Sequence, residues 1–177
     1  MKRIKSFILK FMVCLVLFIP GKVLAETPQI PDIERMEIPR LNLDIEVKKI
    51  PFSQDQKTWD ITEETGAVYW LEGTSHPEYG GNTVIAAHYM EYGEPGPLFR
   101  VRDLENGDEI YLYSGNKKYT YKVDRYQYIP YTYMEYLKSR PYALTLFSCS
   151  GFDWNSGEWR QRVLVLADLV QIDFVVP

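Results

Sequence analysis

Cys149 follows the apolar run Ala143-Leu144-Thr145-Leu146-Phe147-Ser148, and only one other cysteine, Cys14, occurs in the 177 residues. His88 closes a second run, Thr83-Val84-Ile85-Ala86-Ala87, and Arg162 opens a third, Val163-Leu164-Val165-Leu166-Ala167. These three side chains have the chemistry of nucleophilic catalysis. A thiol attacks carbonyls as the thiolate, a minor species near neutral pH unless a base or cation stands beside it. His88 can relay the proton, and Arg162 can place a permanent positive charge where an oxyanion develops. Guanidinium suits that task because it does not titrate and presents several donors in one plane.

Each residue alone also has a structural reading. A cysteine ending an apolar strand is commonly a buried small hydrophobe, a histidine after Ala-Ala a packed ring, and a strand-edge arginine a paired charge. The combination, placed at what reads as three strand ends, favours the chemical reading. His76, the only other histidine, precedes Pro77 in a loop-like stretch after Gly73-Thr74-Ser75. Arg160 lies two residues before Arg162, on the same face by strand alternation, but the apolar run begins directly after Arg162.

Positioning such residues falls to a series of short β-like segments, expected at 35–39, 43–49, 67–71, 83–89, 108–114, 118–128, 143–149 and 162–169. Val, Ile, Tyr and Thr dominate them, and Gly80-Gly81-Asn82, Asn106-Gly107-Asp108 and Ser114-Gly115-Asn116 separate them. The alternation Ile110-Tyr111-Leu112-Tyr113, then Tyr119-Thr120-Tyr121-Lys122-Val123, predicts a hairpin. Helical signals are confined to residues 97–104 and 132–138. This pattern gives an all-β sandwich or closed barrel.

The first 25 residues carry Lys2, Arg3 and Lys5, a mostly apolar stretch broken by Lys10, and Val23-Leu24-Ala25. That is the layout of a signal peptide cleaved after Ala25, or of an N-terminal membrane anchor flanked by Lys10 and Lys22. Residues 26–32, with Pro28 and Pro31, read as a short linker, and residues 33–177 as one folded domain. Removing residues 1–25 takes away five basic residues and no acid, leaving 15 basic against 24 acidic side chains, a net charge of −9. An acidic domain of this kind argues against nucleic acid as a partner. With Cys14 in the leader, the domain is no disulfide scaffold. Two histidines, no HExxH and no CxxC leave little to bind zinc, and Asp103, Glu105, Asp108 and Glu109 lack the EF-hand spacing, so no metal or cofactor is expected.

In order and context these residues resemble the sortases, extracytoplasmic cysteine transpeptidases of Gram-positive bacteria and their relatives. Thr145-Leu146-Phe147-Ser148-Cys149 is similar to the family's T-L-x-T-C strand end, Arg162-Val163-Leu164-Val165 to its arginine before an apolar strand, and Gly81-Asn82-Thr83-Val84-Ile85-Ala86-Ala87-His88 to its G-N-x-V-I-A-G-H. Weaker likenesses are Glu37-Ile38-Pro39-Arg40-Leu41 and the passage from Leu98-Phe99 to Leu104-Glu105-Asn106-Gly107-Asp108. Ala87 and Ser148 depart from the family's Gly and Thr, which bears on substrate preference more than on activity.

The resemblance implies a closed β-barrel of about eight strands with one to three short helices, and His88, Cys149 and Arg162 as catalytic residues. It further implies cleavage of an LPxTG-like sorting signal on surface proteins through a thioester. An amine of a peptidoglycan precursor or a pilin lysine would accept the acyl group, outside the cytoplasm. Aromatic segments 125–142 and 151–159 flank the site, without an individual substrate-binding residue being assigned. Two other readings remain: a non-catalytic exported β-domain that binds glycan or protein through its tyrosines, and an L,D-transpeptidase. The latter's pattern puts a glycine before the cysteine and an arginine two residues after it, unlike Cys149 and Arg162. Papain-like peptidases put the cysteine before the histidine.

Overall fold

The computed structural model describes residues 30–55, 58–61, 66–133, 137 and 140–175. The leader expected over residues 1–25, and the start of the linker, lie outside them. Eight strands close into a barrel: β1 (Arg35–Ile38), β2 (Leu43–Ile50), β5 (Val68–Leu71), β6 (Asn82–Ala86), β11 (Ala143–Asp153), β12 (Glu158–Phe174), β10 (Lys117–Pro130) and β9 (Glu109–Ser114), with β9 returning to β1. Two small hairpins stand outside the barrel ladder, β3 (Phe52–Ser53) with β4 (Thr58–Trp59) and β7 (Met90–Glu91) with β8 (Glu94–Pro95). The junctions β2–β5 and β6–β11 are parallel; the others are antiparallel.

Side-chain alternation sorts the strands into two apolar layers. Inside the barrel lie Met36, Ile38, Val47, Val68, Trp70, Ile85, Ile110, Leu112, Leu144, Leu146, Val163 and Val165. Leu98, Val101 and Leu104 join this inner cluster, so the segment between β8 and β9 packs into the barrel interior. Outside it, Tyr69, Leu71, Val84, Ala86, Ile129, Leu164 and Leu166 form a second cluster with Leu137, and Trp59, Ile61 and Phe147 pack against them. That outer layer is why β6, β11 and β12 read as continuous apolar runs rather than clean alternation: both of their faces are covered.

The expected barrel and the β9–β10 hairpin are present, the latter paired from Lys117 with Ser114 to Lys122 with Glu109. Several local expectations change. Residues 97–104 make successive i to i+3 turns, with one 3-10 helix at Val101–Asp103, rather than a continuous short helix. Most of residues 132–138 lie outside the described residues. The strand expected over 83–89 stops at Ala86. The strands expected to end at Cys149 and begin at Arg162 run on to Asp153 and back to Glu158, because the hairpin between them closes tightly. Asp153 accepts the Asn155 N–H on its carboxylate at 2.9 Å and the Gly157 N–H on its carbonyl at 2.8 Å. Cys149 and Arg162 therefore sit within strands, and His88 two residues beyond one.

Candidate active site

Cys149 and Arg162 are directly opposite partners in the β11–β12 ladder. On β11, Leu144 and Leu146 point inward and Phe147 outward; on β12, Val163 and Val165 point inward and Leu164 outward. Period-two alternation then puts both Cys149 and Arg162 on the outer face. On β6, Val84 and Ala86 face outward, and continuing the alternation carries His88 to the same side.

The parallel β6–β11 pairing ends with Ala86 opposite Phe147. Two hydrogen bonds extend the contact past that point. The Ala87 N–H donates to the Phe147 carbonyl at 3.2 Å, and the buried Ser148 hydroxyl donates to the Ala87 carbonyl at 3.0 Å. The residue before the histidine is thus fastened to the residue before the cysteine. Ala87 is almost fully buried, which leaves no space around it for a large side chain.

Beyond His88 the chain turns sharply. Tyr92 and Gly93 both have positive φ, at 49° and 90°, as a two-residue hairpin turn demands. The return strand brings Gly96 against the His88 backbone; a Cβ there would lie 2.4 Å from the His88 carbonyl oxygen. Leu98 donates its N–H to that carbonyl at 3.4 Å. The His88 ring donates its Nε2–H to the Ile61 carbonyl at 2.7 Å.

Burial pushes the half-buried Cys149 thiol above its ordinary value, and the charge of Arg162 opposes the shift without cancelling it. Cation and thiol are electrostatically coupled, with burial the larger effect. Arg162 lies between two rings, its guanidinium carbon 5.9 Å from the centroid of Phe147 and 6.0 Å from that of Tyr131, and its Nη1–H donates to the Gln161 carbonyl at 3.1 Å. It forms no ion pair among the described residues. Arg160 is engaged instead, 3.3 Å from the Asp153 carboxylate and 3.1 Å from that of Glu158. Pairing thus separates two arginines that alternation could not.

Sequence reasoning assigned no role to the aromatic segments by residue. Phe99 and Tyr89 meet at a tilt with centroids 4.7 Å apart, Tyr89 meets Trp159 at 5.3 Å, Trp159 meets Phe152 at 5.0 Å, and Phe152 meets Trp154 at 4.9 Å. This row ties the segment after His88 to the β11–β12 hairpin. The hint was composition: Phe152, Trp154 and Trp159 in a span of eight residues.

His76 is elsewhere and structural. It is buried, accepts the Glu78 N–H on Nδ1 at 3.1 Å, and its Nε2 lies 3.2 Å from the Ser114 hydroxyl, which itself donates to the Pro31 carbonyl at 2.6 Å. Among the described residues, no group of three or more His, Cys, Asp or Glu side chains is placed to hold a metal ion.

The sequence model of the sortase domain matches residues 36–170, most of the chain, and the chain therefore belongs to the sortase family. Solved sortases have the same fold. Sortase C-3 of Streptococcus pneumoniae superposes with a TM-score of 0.66 at 20% identity, over 84% of this chain and 67% of that one. Sortase C1 of Streptococcus agalactiae gives 0.61 at 25% identity over 78% and 66%, and sortase A of Listeria monocytogenes 0.63 at 18% over 81% and 90%. The chain thus spans about two thirds of the length of those sortase C structures. No curated protein matches it.

Proposed function

We propose that this sortase-family chain is a cysteine transpeptidase whose catalytic residues are His88, Cys149 and Arg162. The observation that carries the reading is the cross-strand pairing of Cys149 with Arg162 on the face that His88 reaches through the Ala87–Ser148 stitch.

In this mechanism the Cys149 proton passes to His88, forming thiolate and imidazolium. The sulfur attacks the scissile peptide carbonyl carbon of an LPxTG-like sorting signal. The carbonyl π-electrons move to oxygen, where the Arg162 N–H donors stabilise the negative charge. As the tetrahedral intermediate collapses, the C–N bond breaks and the leaving amine takes the proton from His88. A thioester remains on Cys149. A primary amine, from a cell-wall precursor or a pilin lysine, then attacks it, gives up a proton to His88 and expels the thiolate. Water in place of the amine gives hydrolysis.

The residue 1–25 segment would export the domain and, if retained, hold it at the outer face of the membrane beside such substrates.

Peptides carrying candidate sorting signals, incubated with and without amine acceptors and followed by mass spectrometry, test the reading. Transfer to the amine is expected, together with a covalent adduct at Cys149 with a vinyl-sulfone peptide. If Cys149→Ala transfers peptide as well as the unaltered protein, the proposal is wrong, and a non-catalytic binding role takes its place.

A further inference from the structure

A carbonyl oxygen has no proton to give, so the ring nitrogen bonded to it must carry one. The 2.7 Å contact from His88 Nε2 to the Ile61 carbonyl therefore fixes the tautomer: Nε2 is protonated in the neutral ring as well as in the imidazolium. Only Nδ1 is left to gain and lose a proton. The Ile61 carbonyl is itself held in place. β3 and β4 pair Phe52 with Trp59, whose rings meet edge to face at 5.1 Å. The end of β5 anchors this hairpin at both strands. The Trp59 indole N–H donates to the Glu72 carbonyl at 2.9 Å, and the Phe52 N–H to the Glu72 carboxylate at 3.2 Å. Glu72 in turn donates its N–H to Ile50 at 2.9 Å, continuing the β2–β5 junction. Ile61 follows Trp59 by two residues, and both pack on the outer cluster.

We infer that the β3–β4 hairpin is a positioning arm for His88: Trp59 and Glu72 hold the Ile61 carbonyl on Nε2–H, so that Nδ1 is the atom that exchanges protons during transpeptidation. This rests on the catalytic role proposed for His88. Trp59 and Glu72 are positioning residues in this inference, acting through Ile61 on the ring.

The full-length protein labelled with 15N-histidine reads the ring directly, with only two histidines to assign and His88→Ala to assign them. Neutral His88 is expected to show a protonated Nε2 whose hydrogen exchanges slowly, and a bare Nδ1. Trp59→Phe, which keeps a ring and deletes the N–H, and Glu72→Ala should speed that exchange. Both should lower kcat about tenfold with KM within about twofold, since misplaced general acid–base groups lose rate rather than binding. Glu72→Gln, which keeps an acceptor for the Phe52 N–H, should restore both readouts. Neutral His88 protonated on Nδ1, or unchanged exchange and kcat in Trp59→Phe and Glu72→Ala when their melting shows both folded, overturns the inference. A protein with the Nε2 signature that transfers no peptide overturns the catalytic role of His88 and with it the arm's function, while the ring geometry stands.

Discussion

Cys149 and Arg162 face each other across adjacent strands as directly opposed residues of an antiparallel pair. Two backbones hold their spacing, so replacing the cation changes charge and donor geometry without moving the thiol. Arg162→Gln is expected to lower kcat about 100- to 1,000-fold, the scale of a lost oxyanion donor, with melting within a few degrees of the parent. Arg162→Lys should recover only part of the loss, because an ammonium cannot reproduce the fork of donors. Steady-state kinetics of peptide transfer decide it, and full activity in Arg162→Gln would remove the arginine from the mechanism.

The thiol lies above its ordinary range because burial outweighs the nearby positive charge. Raising the pH converts thiol to thiolate, so alkylation of Cys149 by iodoacetamide should keep accelerating past the pH at which a free cysteine levels off. Removing the opposing charge in Arg162→Gln should push that curve further up the pH scale. A profile that is already flat at neutral pH would contradict the burial effect.

Gly96 lies against the His88 carbonyl at a distance no Cβ tolerates. Gly96→Ala must displace one backbone or the other, at a cost of about 1 to 3 kcal/mol, the usual range for overpacking. Peptide transfer should fall more than tenfold, with iodoacetamide alkylation of Cys149 little changed, because the displaced segment carries His88, the proposed base, and not Cys149. Equal losses in both assays would show that the damage is global.

His76 is buried and its protonation is disfavoured, chiefly by desolvation, with Lys117 adding to the effect and Glu78 and Asp32 opposing it. The folded protein therefore binds this proton less readily than the unfolded chain. As pH falls below the ordinary value of 6.5, the unfolded state gains a proton that the native state does not, and stability drops until the folded value is passed. Thermal melting from pH 8 to pH 5 should decline, and His76→Asn, which keeps an acceptor for the Glu78 N–H, should flatten that decline while lowering the melting temperature at pH 8. An unchanged slope in the variant would assign the pH dependence to other groups.

The barrel was legible because its signals are local. Ile110 to Tyr113 and Tyr119 to Val123 alternate, with turn residues between them, and they pair in the structure as expected. The segments around His88, Cys149 and Arg162 were legible as apolar runs, each with one of these polar residues at an end. Their ends were not, because Gly151, Asp153 and Gly157 read as loop formers whereas here they close a continuous hairpin, through hydrogen bonds to Asp153. The β3–β4 hairpin gives no alternation to find. The Ile61 carbonyl leaves no trace in the sequence at all, since every residue brings one and only the folded path selects this one. Arg162 is preferred over Arg160 in the sequence on the position of the apolar run alone; that two carboxylates hold Arg160 shows only in the fold.

The parallel junction of β6 with β11 has a kinetic meaning. Ala87 and Ser148, whose hydrogen bond joins the segments carrying His88 and Cys149, are 61 positions apart, and barrel closure brings together Glu37 and Tyr113, separated by 76. Contacts this distant in the chain form late, after the entropy of closing long loops has been met, and topologies rich in them fold slowly. A chain still folding carries Cys149 apart from His88 and Arg162, and only closure of the barrel lays their three segments side by side.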